Sequence, residues 1–253
     1  MPPHAAEADE VVITVDVEWA HPVVLADIVG LLDERGLRAT FFCTHDGIAV
    51  PGHERALHPN FRRSSNSLVT PPTAPDLLAS ERRFYQHVLE GTRRWCPEAV
   101  GTRSHSLIYD STLLPLYREA GLEYDSTCML PLAHHLSPVW KGHGILELPI
   151  FYMDFWDMCE GVTGFDAGRL PLEGPGLRVL CFHPNLVFLN AATYEDYLAS
   201  KPHYQDVDWL LRHRTRGRGA RTLFLDVLDA LARRDPAPVL GDINARWRAA
   251  SGR

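Results

Sequence analysis

Among its 253 residues the chain has only five cysteines, Cys43, Cys96, Cys128, Cys159 and Cys181. They are odd in number, scattered and without a CxxC pair, which argues against both a disulfide framework and a zinc ribbon. No stretch reaches the roughly 18 apolar residues of a membrane span, and Met1–Glu10 has neither the basic nor the apolar region of a secretory leader. Neither GxGxxG nor GxxxxGKS/T follows the first apolar run, which counts against a dinucleotide or nucleoside triphosphate site. Positive charge is also short. Lys and Arg number 25 against 32 Asp and Glu, a formal net charge of −7, which leaves no general affinity for nucleic acid or anionic membrane. A cytoplasmic protein is expected, without nucleic-acid or membrane partners and of undetermined oligomeric state.

What is present is an ordinary globular composition, 45% hydrophobic and 23% charged, with one oddity. There are thirteen histidines, and histidine is both the commonest metal ligand and the usual acid or base near neutral pH. Their positions therefore matter more than their number.

After a short polar lead, expected to be disordered over residues 1–10, the run Val11-Val12-Ile13-Thr14-Val15-Asp16-Val17-Glu18 predicts a strand buried on both faces in a parallel sheet. Val23 to Glu34 has apolar residues at helical spacing and stops before Gly36; Ala39 to Cys43 then predicts a second strand. Looser units follow, with helices predicted at 76–94, 111–120 and 222–234. Further strands are predicted near 99–102, 123–126, 145–152 and 177–182. Residues 62–75, rich in Ser, Asn, Thr and Pro, predict a long loop within one domain spanning 11–253. Alternating strands and helices without a phosphate-binding glycine loop favour a (β/α) barrel, whose chemistry sits at the carboxyl ends of its strands.

Polar residues at those ends are Asp16 and Glu18, with His21 behind; His45 and Asp46; His53 and His58 in the next loop; Arg103 and His105; Asp125; Glu147 and Asp154; and His183. Residues i and i+2 of a strand share a face, so Asp16 and Glu18 are expected to form a carboxylate pair, one able to bind a cation and the other to take a proton. Trp19, Trp140, Tyr152, Phe155 and Trp156 are candidate walls for a sugar ring. Arg212, Arg214, Arg216, Arg218 and Arg221 lie before the 222–234 helix, a mobile basic loop or a seat for the phosphate of a nucleotide-linked sugar.

In this order the segments resemble the polysaccharide deacetylase superfamily, the NodB homology fold of metal-dependent carbohydrate esterases. Thr14-Val15-Asp16-Val17-Glu18 is similar to its first motif, Ala39-Thr40-Phe41-Phe42 to the ATFF strand, and Gly52 to His58 to GHEIGxH. Gly101-Thr102-Arg103-Ser104-His105 stands where RxP lies, Gly121 to Ser126 near a fourth motif, and Leu180-Cys181-Phe182-His183 at the final LH. HPN and RSHSL point to a divergent branch associated with surface-polysaccharide gene clusters. The resemblance implies a distorted (β/α) barrel in a single domain. It implies Asp16 as catalytic base, Arg103 as the residue orienting it, His183 as general acid, and His58 as a metal ligand.

The chain departs from the family pattern in three places. The second-motif histidine four residues after the first is Arg62, the second acid is Glu18 rather than Asp, and the proline of the third motif is His105. His105 is expected to restore the lost ligand, giving Glu18, His58 and His105, a set suited to Zn or to Co, Ni, Mn or Fe. Between Asp16 and Glu18 the residues alone leave the ligand open. Trp19, Asp125, Asp154 and Asn185 are expected to contact an oligosaccharide or small amino-sugar substrate, which would lose an N-acetyl or related acyl group. The alternatives are an amide C–N hydrolase acting on a non-sugar, a glycosidase, and a degenerate barrel that binds glycan without turnover.

Overall fold

The computed structural model describes residues 9–65, 80–234 and 237–252. Strand β1 (Asp9–Asp16) lies between β2 (Ala39–Cys43) and β9 (Gly176–Phe182), parallel to both. The remaining strands are β3 (Glu54–Leu57), β4 (Gly101–Thr102), β5 (Tyr124–Asp125), β6 (Val139–Trp140), β7 (Leu146–Glu147) and β8 (Ile150–Met153). They make one nine-stranded sheet in the order β6-β7-β5-β4-β3-β2-β1-β9-β8, antiparallel only between β6 and β7. Its far edge curls back on itself. Beyond β5 the amide of Leu130 donates to the carbonyl of Ile150 (2.9 Å), and the amide of Ile150 donates to Cys128 (2.8 Å). Met129 thereby bridges Ile150 in parallel, joining the β5 side to β8. The result is the distorted (β/α) barrel expected, with β6 and β7 as a flap beside the join.

Period-2 alternation divides the strands' side chains between two cores. Val11, Ile13 and Val15 pack outward with Phe41, Leu180 and Phe182 beneath the helices, while Val12, Phe42, Tyr124, Leu177 and Val179 fill the barrel. Helix α1 (Pro22–Asp33) buries Val24, Leu25, Ile28 and Leu32; its N-terminus is capped by the His21 side chain, which accepts from the Val23 amide at 3.1 Å. The outer layer continues through α2 (Glu81–Trp95), α3 (Leu113–Glu119), α4 (Asp154–Cys159), α5 (Pro184–Leu189), α6 (Tyr194–Ser200), α7 (Val207–Arg212) and α8 (Ala220–Leu231). No helix among the described residues is long and apolar enough to cross a membrane.

Four differences from the sequence expectations have local causes. The last helix is not 222–234: α9 (Leu240–Ser251) follows it and inserts Leu240, Ile243 and Trp247 into the barrel's amino-terminal end. There the amide of Leu240 donates to Thr40 and that of Gly241 to Glu54. The run 145–152 splits into β7 and β8 at Pro149, which has no N–H for a ladder. β3 forms where the sequence predicts a loop, so His58 directly follows a strand. Finally, β1 ends at Asp16 rather than Glu18. Part of the long loop predicted over 62–75, and the first residues of the helix predicted over 76–94, lie outside the described residues.

Gly101 permits a close approach inside the barrel. A Cβ at this position would lie 1.8–2.2 Å from the ring of Tyr124, which is fully buried and donates its hydroxyl to Glu54 at 2.9 Å. Gly101→Ala is expected to cost about 3 kcal/mol or more, the upper end for overpacking, in urea unfolding. A loss below about 1 kcal/mol would show that the Tyr124 ring can shift aside.

Candidate active site

At the carboxyl end of β1, Asp16 is 3% exposed and faces Arg103, which follows β4 and is fully buried. Arg103 Nη1 donates to Asp16 Oδ1 (2.7 Å) and to Thr14 Oγ1 (2.9 Å), Nε donates to the Ser126 carbonyl (2.8 Å), and Nη2 to Ser126 Oγ (2.8 Å). The guanidinium also lies 4.1 Å over the ring of Phe42. Burial pushes the Asp16 carboxyl pKa up, but Arg103, then His58 and His183, more than offset this and hold it below the ordinary value. Asp16 is therefore ionised at neutral pH.

Glu18 reaches the same cleft by a different route from strand alternation. With β1 ended, Glu18 and Trp19 both adopt left-handed backbone (φ 50° and 53°), a conformation that costs non-glycine residues free energy and clusters at functional sites. The Ala20 amide closes this turn onto the Val17 carbonyl at 3.0 Å. Glu18 Oε1 then lies 2.7 Å from His105 Nδ1 and 3.1 Å from His58 Nε2. The two imidazoles meet edge to face at 5.5 Å. Burial raises the Glu18 pKa, yet the adjacent imidazoles of His105 and His58 hold it far below the usual carboxylate range.

The donor set can be tested for a cation from hydrogen-bond directions alone. His58 Nδ1 is 2.8 Å from the Arg103 carbonyl, which can only accept, so Nδ1 carries a proton. In the neutral ring Nε2 is then a bare lone pair, and it faces the carboxylate oxygen of Glu18. Two acceptors in contact require a positive charge between them, either a second proton or a metal ion. Donor atoms of Glu18, His58 and His105 all lie within 4.8 Å of one another, and a carboxylate with two imidazoles matches a divalent transition metal. The three residues fit such an ion. Arg62, in place of the second-motif histidine, is exposed.

On the other side of Asp16, His183 follows β9. Its Nδ1 is 2.6 Å from Asp154 Oδ1, and its amide donates to Asp154 Oδ2 at 2.9 Å. The Phe155 amide also donates to this fully buried carboxylate. Nδ1 is thereby committed, and Nε2 is the nitrogen left for chemistry. Burial lowers the His183 pKa, but Asp154, then Asp16 and Glu18, raise it overall, to about 9.

The structure redistributes the residues expected to touch substrate. Trp19 stands half-buried against His105, ring centroids 5.2 Å apart. Asp154 is instead the buried partner of His183. Asp125 is also buried, bound to Thr127 Oγ1 (2.5 Å) and Lys141 Nζ (2.8 Å) beside Glu147. Asn185, 1% exposed, lies beneath the Glu18 turn, its Nδ2 3.5 Å from the Glu18 carbonyl. Of the proposed aromatic walls, Trp140 packs into the barrel core and Tyr152 is buried against Asp157. Phe155 stands 6.0 Å from His183 and 4.7 Å from Tyr197. Of the five arginines considered as an anion seat, Arg221 pairs with Asp27, Arg218 with Asp226, and Arg214 with the Phe188 carbonyl. Thr14 and Ser126, which hold Arg103, were missed although both lie inside the quoted motifs. Tyr197 had no sequence signal.

A family model described as WbmS-like polysaccharide deacetylase matches residues 13–201. A crystal structure from Bordetella bronchiseptica, of a polysaccharide deacetylase-type protein described as involved in O-antigen biosynthesis, is 25% identical with a TM-score of 0.75. It aligns over 88% of this chain and 91% of its own. A polysaccharide deacetylase-type structure from Mycobacterium smegmatis shares the fold at 18% identity and TM-score 0.59, over 96% of this chain and 91% of its own. No curated protein matches the sequence.

Removing the Asp154 charge isolates its effect on His183. In Asp154→Asn the negative charge that raises the pKa is lost while burial, which lowers it, remains. An NMR titration of the metal-free protein is expected to show the His183 value falling from about 9 toward or below the ordinary 6.5. An unchanged value would mean that Asp154 does not control it.

Proposed function

The chain belongs to the WbmS-like polysaccharide deacetylase family, and on that premise we propose that it is a metal-dependent hydrolase that removes an N-acetyl or related acyl group from an amino sugar of a surface polysaccharide or its precursor. The observation that carries this reading is the single Glu18 oxygen shared by two imidazoles, with an ionised aspartate on one side and a histidine beyond it. Glu18, His58 and His105 would hold a divalent cation, with zinc suited to the set and Co, Ni, Mn or Fe as the other candidates. When bound, such an ion supplies positive charge that polarises an acyl carbonyl and acidifies water.

The remaining roles fall to the chain's own side chains. Asp16, held ionised by Arg103, takes a proton from the attacking water. The oxygen of that water bonds to the acyl carbon, and the C–N bond breaks. His183, kept protonated by Asp154 at neutral pH, gives its Nε2 proton to the departing amine. The products are a carboxylate and the free amino sugar. Arg103 fixes the direction of Asp16 through bonds to Thr14 and Ser126, and Trp19 beside His105 and Phe155 beside His183 supply apolar faces. A sugar substrate is supported by the Bordetella relative's description as involved in O-antigen biosynthesis. Five cysteines, none of them disulfide-bonded, fit a reducing compartment such as the cytoplasm.

Release of acetate from N-acetylated amino sugars and their oligosaccharides, by protein reconstituted with zinc or cobalt, tests the reading. Asp16→Asn keeps an acceptor for Arg103 but removes the base, and kcat is expected to fall by about 10²- to 10⁴-fold. Glycan binding without turnover under every metal would overturn the enzymatic reading in favour of a binding barrel. Hydrolysis confined to non-sugar amides would overturn the sugar assignment.

A further inference from the structure

Cys181 has no part in the mechanism above, yet it lies at the floor of the same cleft. It belongs to β9, is paired in register with Thr14 of β1, and is 0% exposed. Two residues later on the same face of the chain is His183. Asp16 stands two residues beyond Thr14 on that neighbouring strand. One donor atom each from Asp16, Cys181 and His183 lies within 4.8 Å of the other two. Since Asp154 occupies His183 Nδ1, the free imidazole nitrogen is Nε2. These three donors are distinct from the Glu18, His58 and His105 group, which contains no sulfur.

We propose that Asp16, Cys181 and His183 form a second cation site, selective for thiophilic divalent ions, whose occupation switches the enzyme off. Thiolate, imidazole and carboxylate together suit zinc or cadmium and disfavour magnesium or manganese. The charges permit it despite the nearby guanidinium of Arg103. Before binding, Asp16 and Asp154 are balanced by Arg103 and protonated His183. The entering cation displaces one proton from Cys181 Sγ and one from His183 Nε2, both released to solvent as metal–sulfur and metal–nitrogen bonds form. The thiolate, Asp16 and Asp154 then balance Arg103 and the divalent ion. A neutral cluster is exchanged for a neutral cluster, so no net charge is buried. The inhibitory consequence rests on the proposed function, because the ion would occupy the base and the acid together; the binding itself does not.

The test uses the full chain, with the exposed Cys128 and Cys159 changed to serine, stripped of metal and titrated with Cd²⁺. The readout is the ultraviolet thiolate-to-cadmium charge-transfer band together with the number of bound equivalents. Two equivalents and a band are expected. Cys181→Ser and Cys181→Ala should each keep one equivalent, which shows the fold intact, and lose the band. Loss of one ligand should weaken the second equivalent by more than the 10–100-fold that follows loss of an outer partner. His183→Asn, which retains the thiol, should weaken it similarly, whereas Glu18→Gln should spare the band. In the activity arm, free Zn²⁺ at ten times the second dissociation constant should slow the enzyme about elevenfold relative to its uninhibited rate, and Cys181→Ser should resist. The same uptake and band with and without Cys181 would overturn the site. A Cys181-dependent band without inhibition would overturn its regulatory role. If acyl release is never seen, the proposed function fails, while the cadmium band still decides the site.

Discussion

The fully buried guanidinium of Arg103 is a charge that a barrel interior cannot hold without partners, and the residues around it are arranged by that requirement. Four of its hydrogen bonds draw together Thr14 and Asp16 from β1 and both the carbonyl and hydroxyl of Ser126 after β5. Its own carbonyl accepts from His58 Nδ1, and its amide donates to Leu57 at the end of β3. One side chain and its peptide group thus tie the carboxyl ends of β1, β3 and β5 to β4. The charge of Asp16, the tautomer of His58 and the direction of both follow from it.

From this pair the cleft divides into two halves that share Asp16. On one side, a left-handed turn swings Glu18 into contact with His58 and His105. On the other, Asp154 holds His183 by its ring and its amide. The opposed influences on these groups are what separate their protonation states: positive neighbours keep Asp16 ionised, and negative neighbours keep His183 protonated. That is the distribution acid–base chemistry at neutral pH needs.

Much of the barrel could be read from local pattern, because Val11 to Asp16, Ala39 to Cys43 and Leu177 to Phe182 are short apolar runs buried on both faces, and α1 has a clear 3.6-residue period. β3 could not. Its Glu54 and Arg55 look like loop residues, and what makes Glu54 tolerable in a strand is Thr40, Tyr124 and the Gly241 amide, partners far away in the chain. The same reason hid the function of α9. In the site, the approach of His105 to Glu18 across 87 residues was anticipated from the order of motifs and the loss of a histidine at Arg62. The turn that delivers Glu18 was not, since left-handed backbone at Glu and Trp has no signature in composition. Asp125, Asp154 and Asn185 were read as substrate contacts because polar residues at strand ends usually face the cleft. In the structure all three are buried, Asp125 against Lys141, Asp154 against His183 and Asn185 beneath the Glu18 turn.

The assignment of Glu18, His58 and His105 as the metal centre is tested most directly by an anomalous-difference map from crystals of the zinc-loaded protein. A peak about 2.0–2.2 Å from a Glu18 oxygen and from one imidazole nitrogen each of His58 and His105 is expected. A fully loaded crystal with no peak among these three side chains would contradict it.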